Sequence, residues 1–138
     1  MDIWGPYKAM TYTGAKFFLT IVDDFTRCTW TFLLKQKSQA VESIVQFCTM
    51  MENQFDTKIK RIRTDNGAEF MSAECQNYFK LKGILHQTSC AYTPQQNGVV
   101  ERKHQHLLQI SRDLMYQSNL PKMFLGESIL TATYIINR

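Results

Sequence analysis

The sequence predicts an α/β fold in which a mixed sheet is flanked by helices. Three observations predict it. Residues 16–35, "KFFLTIVDDFTRCTWTFLLK", are dense in aromatic and β-branched side chains on both sides of a polar turn, the pattern of a hairpin. Beyond them, short β-prone runs alternate with helix-like runs, an order that leads to parallel strand pairing. The helix-like runs carry apolar residues at i, i+3 and i+4, as a helix packed on a sheet does.

Taken in order, "DIWGPY" at residues 2–7 reads as a truncated first strand. Phe17 to Val22 is a strand, Asp23 to Arg27 a turn, and Cys28 to Leu34 the return strand. Residues 38–55 form a helix that Ser38 can cap, with Val41, Ile44, Val45, Cys48, Met51 and Phe55 on one face. Residues 58–65 form a short strand that Asn66-Gly67 breaks just after Asp65. Residues 72–83 are a short helix closed by Gly83, and residues 84–90 another strand. The loop 91–98 leads into a long helix, about Val99 to Gln117, and Ser118 to Pro121 separates it from a last helix, about 122–137. The order is β-β-β-α-β-α-β-α-α.

The 138 residues suit one domain, and 44% apolar residues exclude a disordered chain. A net charge of +4 permits a polyanionic partner without requiring one. Cys28, Cys48, Cys75 and Cys90 include no C-x-x-C pair, which argues against a zinc knuckle and for reduced, packed thiols. No run approaches the roughly 18 apolar residues of a membrane span, and the start does not resemble a signal peptide. An intracellular protein with no membrane partner is expected. Both ends read as cut, since a strand begins at once and "TATYIINR" carries no stop signal, so a piece of a longer protein is expected.

Among the twelve acids, three have unusual addresses. Asp2 lies on the first strand. Asp65 ends a strand where a glycine turn lets the backbone swing away, a place that faces a crevice. Glu101 lies early on the long helix, just after Asn97-Gly98. Carboxylates that converge stay ionised together only if a cation neutralises them, and an oxygen-only donor set suits Mg²⁺ or Mn²⁺. Two such ions about 4 Å apart serve phosphodiester chemistry. The plainer alternatives are a turn role for Asp65, a helix-dipole role for Glu101, and Asp23 or Asp24 in place of Asp2. On the long helix, Val100, Leu107, Ile110, Ser111, Leu114 and Met115 form the packed arc, and Glu101 stands at its border. Lys103 and His104 fall inside the arc, where they either pack or reach a nucleic-acid backbone.

Asp65 and Glu101 are separated by 35 residues, within "RTDNGAEF" and "YTPQQNGVVERKH". This resembles the catalytic core of retroviral-type integrases with the D,D(35)E signature. "DIWGP", "VDDFTR", "NGVVERKHQHLL" and "LTATYIINR" are similar to copia-type LTR retrotransposons of plants. The resemblance covers essentially the whole chain, residues 1–138, as one catalytic core domain. It implies an RNase H-like fold, a five-stranded mixed sheet flanked by helices, with the first strand here truncated. It implies metal-dependent polynucleotidyl transfer, in which the ends of the element's cDNA are trimmed and joined to target DNA. Asp2, Asp65 and Glu101 would hold two Mg²⁺ (or Mn²⁺) ions, and residues 91–98 would be a mobile active-site loop. Asn97, Gly98, His104 and Gln105, together with Lys103, would touch DNA, although the family often has Arg where Gln105 stands. The resemblance further implies a homo-oligomer that acts in the nucleus after a cytoplasmic particle stage. It also leads one to expect an amino-terminal zinc domain and a carboxy-terminal region outside this chain. Two other readings stay open. One is an inactive or domesticated remnant that only binds nucleic acid or protein; the other is an RNase H-like nuclease.

Overall fold

The computed structural model describes residues 1–89 and 97–138. By its contacts the chain forms two compact units, one of residues 2–36 with 98–138, the other of residues 37–97 with residue 1.

In the first of these units, β1 (Asp2–Trp4), β2 (Phe17–Val22) and β3 (Thr29–Leu34) form an antiparallel sheet in the order β1-β2-β3. Asp2 pairs with Thr20 and Trp4 with Phe18; Phe17 pairs with Leu34 and Val22 with Thr29. The β2–β3 turn uses both acids that rivalled Asp2. Asp23 Oδ2 accepts from Thr26 N at 2.8 Å and Thr26 Oγ1 at 2.7 Å. Those two bonds hold its carboxyl below the ordinary range. Asp24 pairs with Arg27 at 3.1 Å, and Arg27 takes φ 64°. Cys28 falls in this turn, so β3 starts one residue later than the sequence suggests.

Helices α3 (Gly98–Gln117) and α4 (Leu125–Ile136) pack on each other and on this sheet. Their core joins Leu107 and Leu108 of α3, Ile129 and Ala132 of α4, Phe18 of β2, and Tyr7. The rings of Trp4 and Tyr7 lie 5.5 and 6.1 Å from that of Phe18. Polar pairs fix the docking of α4. Asn137 accepts from Thr29 N at 2.9 Å and donates to Thr29 O at 2.7 Å, taking a strand's place beside β3. The Thr31 and Thr133 hydroxyls meet at 2.8 Å, and those of Ser111 and Ser128 also bond. A short 3₁₀ turn, Lys122–Phe124, precedes α4.

In the other unit, a 3₁₀ turn (Lys37–Gln39) leads into α1 (Ala40–Phe55). Ser38 lies within the 3₁₀ turn rather than at the N-cap of the helix, where Gln39 stands and its side chain makes no capping hydrogen bond. Ala40, Val41, Ile44, Phe47 and Cys48 are buried, whereas Phe55, at the helix end, is 58% exposed. β4 (Arg61–Thr64) pairs in parallel with β5 (Leu85–Thr88), and α2 (Ala73–Lys82) is the crossover between them, which parallel pairing demands. Both strands are shorter than expected, because each runs only as far as its partner. Ser72 Oγ caps α2 by accepting from Cys75 N at 3.3 Å, and Gly83 closes it with φ 67°. Cys28, Cys48 and Cys75 are free thiols, and Cys90 lies outside the described residues. Among the described residues, no helix is long and apolar enough to cross a membrane.

Candidate active site

Asp65 directly follows β4, and three kinds of contact hold it. Its Oδ1 accepts from Gly67 N at 3.0 Å, an Asx turn. Its carbonyl accepts from Thr64 Oγ1 at 2.7 Å. The flanking residues are pinned to the end of β5, by Ser89 N donating to Thr64 O at 3.1 Å and the Asn66 side-chain Nδ2 donating to Ser89 O at 2.9 Å. The turn role and the ligand role of Asp65 are thus compatible, since the turn engages one carboxylate oxygen and leaves the side chain half-buried.

A fourth acid was not singled out from the sequence. Glu69 is 11% exposed at its side chain and lies 4.0 Å from Lys37 Nζ. A Cβ on Gly67 would stand 2.8 Å from Glu69 Oε1 and 3.0 Å from Asp65 Oδ1. Gly67 therefore leaves room for two carboxylates to approach, which is the physical content of the "DNGAE" spacing.

In the other unit, Asp2 lies against α3, and Glu101 is carried by that helix. Asp2 Oδ1 accepts from Ile3 N at 2.9 Å, and its Oδ2 lies 3.6 Å from His104 Nδ1. Glu101 is three residues before His104, a spacing that sets their Cβ atoms about 5–6 Å apart on one side of a helix. Glu101 is exposed in the first turn of α3, where the helix dipole favours a negative charge. The donors on these elements are carboxylate oxygens, and a hard divalent cation fits such a set. Among the described residues, no three His, Cys, Asp or Glu side chains form a ready metal cluster.

Of the expected DNA contacts, Asn97 and His104 are buried, 6% and 5% exposed; Gly98 and Lys103 are half-buried, and Gln105 is exposed. The expected active-site loop, residues 91–98, lies outside the described residues up to residue 96. His104 packs edge-on to Phe18, with ring centroids 5.3 Å apart. Burial drives its pKa from 6.5 down to about 4, and a bond to the Asp2 backbone opposes the shift without overcoming it. A pH dependence follows. Between about pH 6.5 and pH 4 the unfolded chain holds a proton on this residue and the folded chain does not, so stability falls as pH falls through that window. The loss approaches about 3 kcal/mol at its lower end. Urea unfolding of the metal-free chain near pH 7 and near pH 4.5 should show wild type losing about 2 kcal/mol more than His104→Gln. Equal losses would exclude a neutral, buried His104.

Comparison with known proteins identifies the chain. The family model described as "Integrase core domain" matches residues 1–94. The Retrovirus-related Pol polyprotein from transposon TNT 1-94 of Nicotiana tabacum is 38% identical over 137 residues, 99% of this chain and 10% of that protein. The corresponding polyprotein from transposon RE1 of Arabidopsis thaliana is 37% identical over 137 residues, again 99% of this chain and 9% of the relative. The chain thus spans about a tenth of the length of these curated relatives. Among solved structures, a chain of the simian T-cell lymphotropic virus intasome in complex with PP2A regulatory subunit B56 gamma superposes with a TM-score of 0.75. It is 23% identical and covers 99% of this chain and 48% of its own. The HTLV-2 integrase catalytic core domain in complex with magnesium (trimeric form) gives 0.64 at 24% identity, over 96% of this chain and 82% of that one. These likenesses show the RNase H-like fold of integrase cores, in agreement with the β-β-β-α-β-α-β-α-α order built above. With the family model covering residues 1–94 and plant retrotransposon polyproteins matching 99% of this chain, the chain belongs to the integrase core domain family.

Proposed function

We propose that this chain is the catalytic core of a retrotransposon integrase. It would trim the 3′ ends of the element's cDNA and join them to target DNA. The observation that carries this reading is the Asp65 site, a carboxylate at a strand end fixed by a turn, with 35 residues between it and Glu101 in a chain of this family. Asp2, Asp65 and Glu101 are assigned as ligands of divalent cations, Mg²⁺ or Mn²⁺, and an oxygen-only donor set supports that choice. A bound pair of such ions would activate the attacking hydroxyl and stabilise the leaving oxygen.

The chain's own residues orient these ligands. The Gly67 amide points Asp65, and His104 faces Asp2 from α3. For the DNA backbone, Gly98, Lys103 and Gln105 are accessible as described, whereas Asn97 and His104 would need rearrangement on binding. Action as a homo-oligomer, and in the nucleus where target DNA lies, belongs to the same reading; the trimeric form of the HTLV-2 neighbour supports the first part.

The test is a DNA-joining assay with Mg²⁺ or Mn²⁺, on this chain and on a form with further residues at each end. Glu101 is exposed, so Glu101→Gln should change stability by less than about 0.5 kcal/mol. Joining should nevertheless fall below detection. Full joining by this variant refutes the assignment. DNA binding without joining by the wild type would favour the binding-module reading, and cleavage of RNA–DNA hybrids alone the nuclease reading.

A further inference from the structure

Behind Asp65 runs a hydrogen-bond chain whose direction can be worked out atom by atom. The carbonyl of Phe70 accepts from Gln76 Nε2 at 2.8 Å. A carbonyl can only accept, so this contact fixes which end of the Gln76 amide is nitrogen. The same nitrogen lies 2.8 Å from His86 Nδ1. Both of its hydrogens are then used, one on Phe70 and one on the imidazole, so Nδ1 must accept. A neutral imidazole that accepts at Nδ1 carries its proton on Nε2. His86 Nε2 lies 2.9 Å from Thr64 Oγ1, and it donates there. The Thr64 hydroxyl has one proton, and that proton goes to the carbonyl of Asp65 at 2.7 Å.

Every donor along the path from α2 through β5 to β4 therefore has one acceptor. Thr64 is fully buried, and the imidazole packs on Phe79 with ring centroids 4.9 Å apart. Burial lowers the His86 pKa, in keeping with the neutral form that the donor pattern demands.

We propose that His86, set by Gln76 and acting through Thr64, is a positioning residue for Asp65. A threonine hydroxyl left alone can rotate among several acceptors. With His86 occupying its lone pair, the Thr64 proton is directed to the Asp65 carbonyl. That carbonyl and the Oδ1–Gly67 bond fix both ends of the residue, so the carboxylate is presented in one orientation. The arrangement fits the tolerance that a catalytic ligand needs, which supporting bonds around it must supply. The proposal rests on Asp65 being a ligand for its meaning, although not for its geometry.

The test measures the geometry first. Imidazole ¹⁵N shifts of the chain near neutral pH should report His86 with its proton on Nε2; an Nδ1–H tautomer overturns the chain of bonds. Hydrogen exchange then reads the orientation of the carboxylate through the Gly67 amide. Thr64→Val and His86→Phe should each speed exchange at Gly67 by about fivefold to tenfold, the effect of one lost hydrogen bond, with protection of the Phe79 amide unchanged. Thr64→Ser and His86→Gln, which keep a donor in place, should restore most of it. The double variant should be no worse than either single one, because the two residues act in series. Unchanged exchange at Gly67, or equal acceleration at Gly67 and Phe79, overturns the proposal. In DNA joining, the same variants should lower the turnover rate with DNA affinity intact. A wild-type chain that shows the exchange pattern and does not join DNA would sink the integrase function and leave the positioning role standing.

Discussion

Asp65→Asn should leave the chain folded and, on the proposed function, remove DNA joining. The fold survives because asparagine keeps a carbonyl oxygen where Asp65 Oδ1 accepts from the Gly67 amide, so the Asx turn is preserved. The carbonyl bond from Thr64 is main-chain and does not depend on the side chain. Stability should stay within about 0.5 kcal/mol or rise, since the Glu69 carboxylate reaches the same space around Gly67 and loses a like-charged neighbour. Joining would be lost because, with Asp65 a cation ligand as proposed, the substitution removes a charge on which the divalent cation depends. If that charge is worth about 4 kcal/mol of transition-state stabilisation, the rate falls about a thousandfold. Asp65→Ala serves as the contrast. It also loses the turn bond and should cost roughly 1 kcal/mol in urea unfolding. Full joining by Asp65→Asn, or destabilisation as large as that of Asp65→Ala, would make the residue a turn residue only.

The second large effect is expected at Gly5→Ala, in the other unit. Gly5 follows β1 with φ +132°, a conformation side chains avoid. Its added Cβ would lie 2.6 Å from the carbonyl oxygen of Lys16 and 2.8 Å from the Phe17 ring. That carbonyl also accepts from Tyr7 N at 2.8 Å, so the backbone cannot yield without breaking this bond. Strain of about 1–3 kcal/mol and a lost hydrogen bond of about 1 kcal/mol together predict a cost of about 2–4 kcal/mol. The consequence is also functional, because the three-residue strand held by this corner carries Asp2. Gly83→Ala separates backbone strain from the clash. Its φ is +67° with nothing within 4 Å of the added Cβ, so about 1–2 kcal/mol is expected. Equal costs for the two variants in urea unfolding would show that the contact of Gly5 with Lys16 is not tight.

How much was legible beforehand differs by element. Phe17 to Val22 has the residue bounds expected of it, because a dense aliphatic and aromatic run has few alternatives. Ser38 reads as a cap in the sequence, but "KSQA" also suits a 3₁₀ turn, and which one forms depends on what Ala40 and Val41 must bury. The helix α3 was read correctly in its packed arc, including the place of His104 inside it, since a 3.6-residue period fixes faces without any knowledge of the partner.

The sequence by itself determined the element order and the family, because periodicity and motif spacing are properties of the chain taken along its length. Only tertiary structure decided what surrounds the candidate acids. Glu69 nears Asp65 only through the fold of the turn at Gly67, while His104 facing Asp2 and the path from Gln76 through His86 and Thr64 join residues on different elements. Their roles depend on which atoms come close and which way a proton points, and these are set only once the chain has folded.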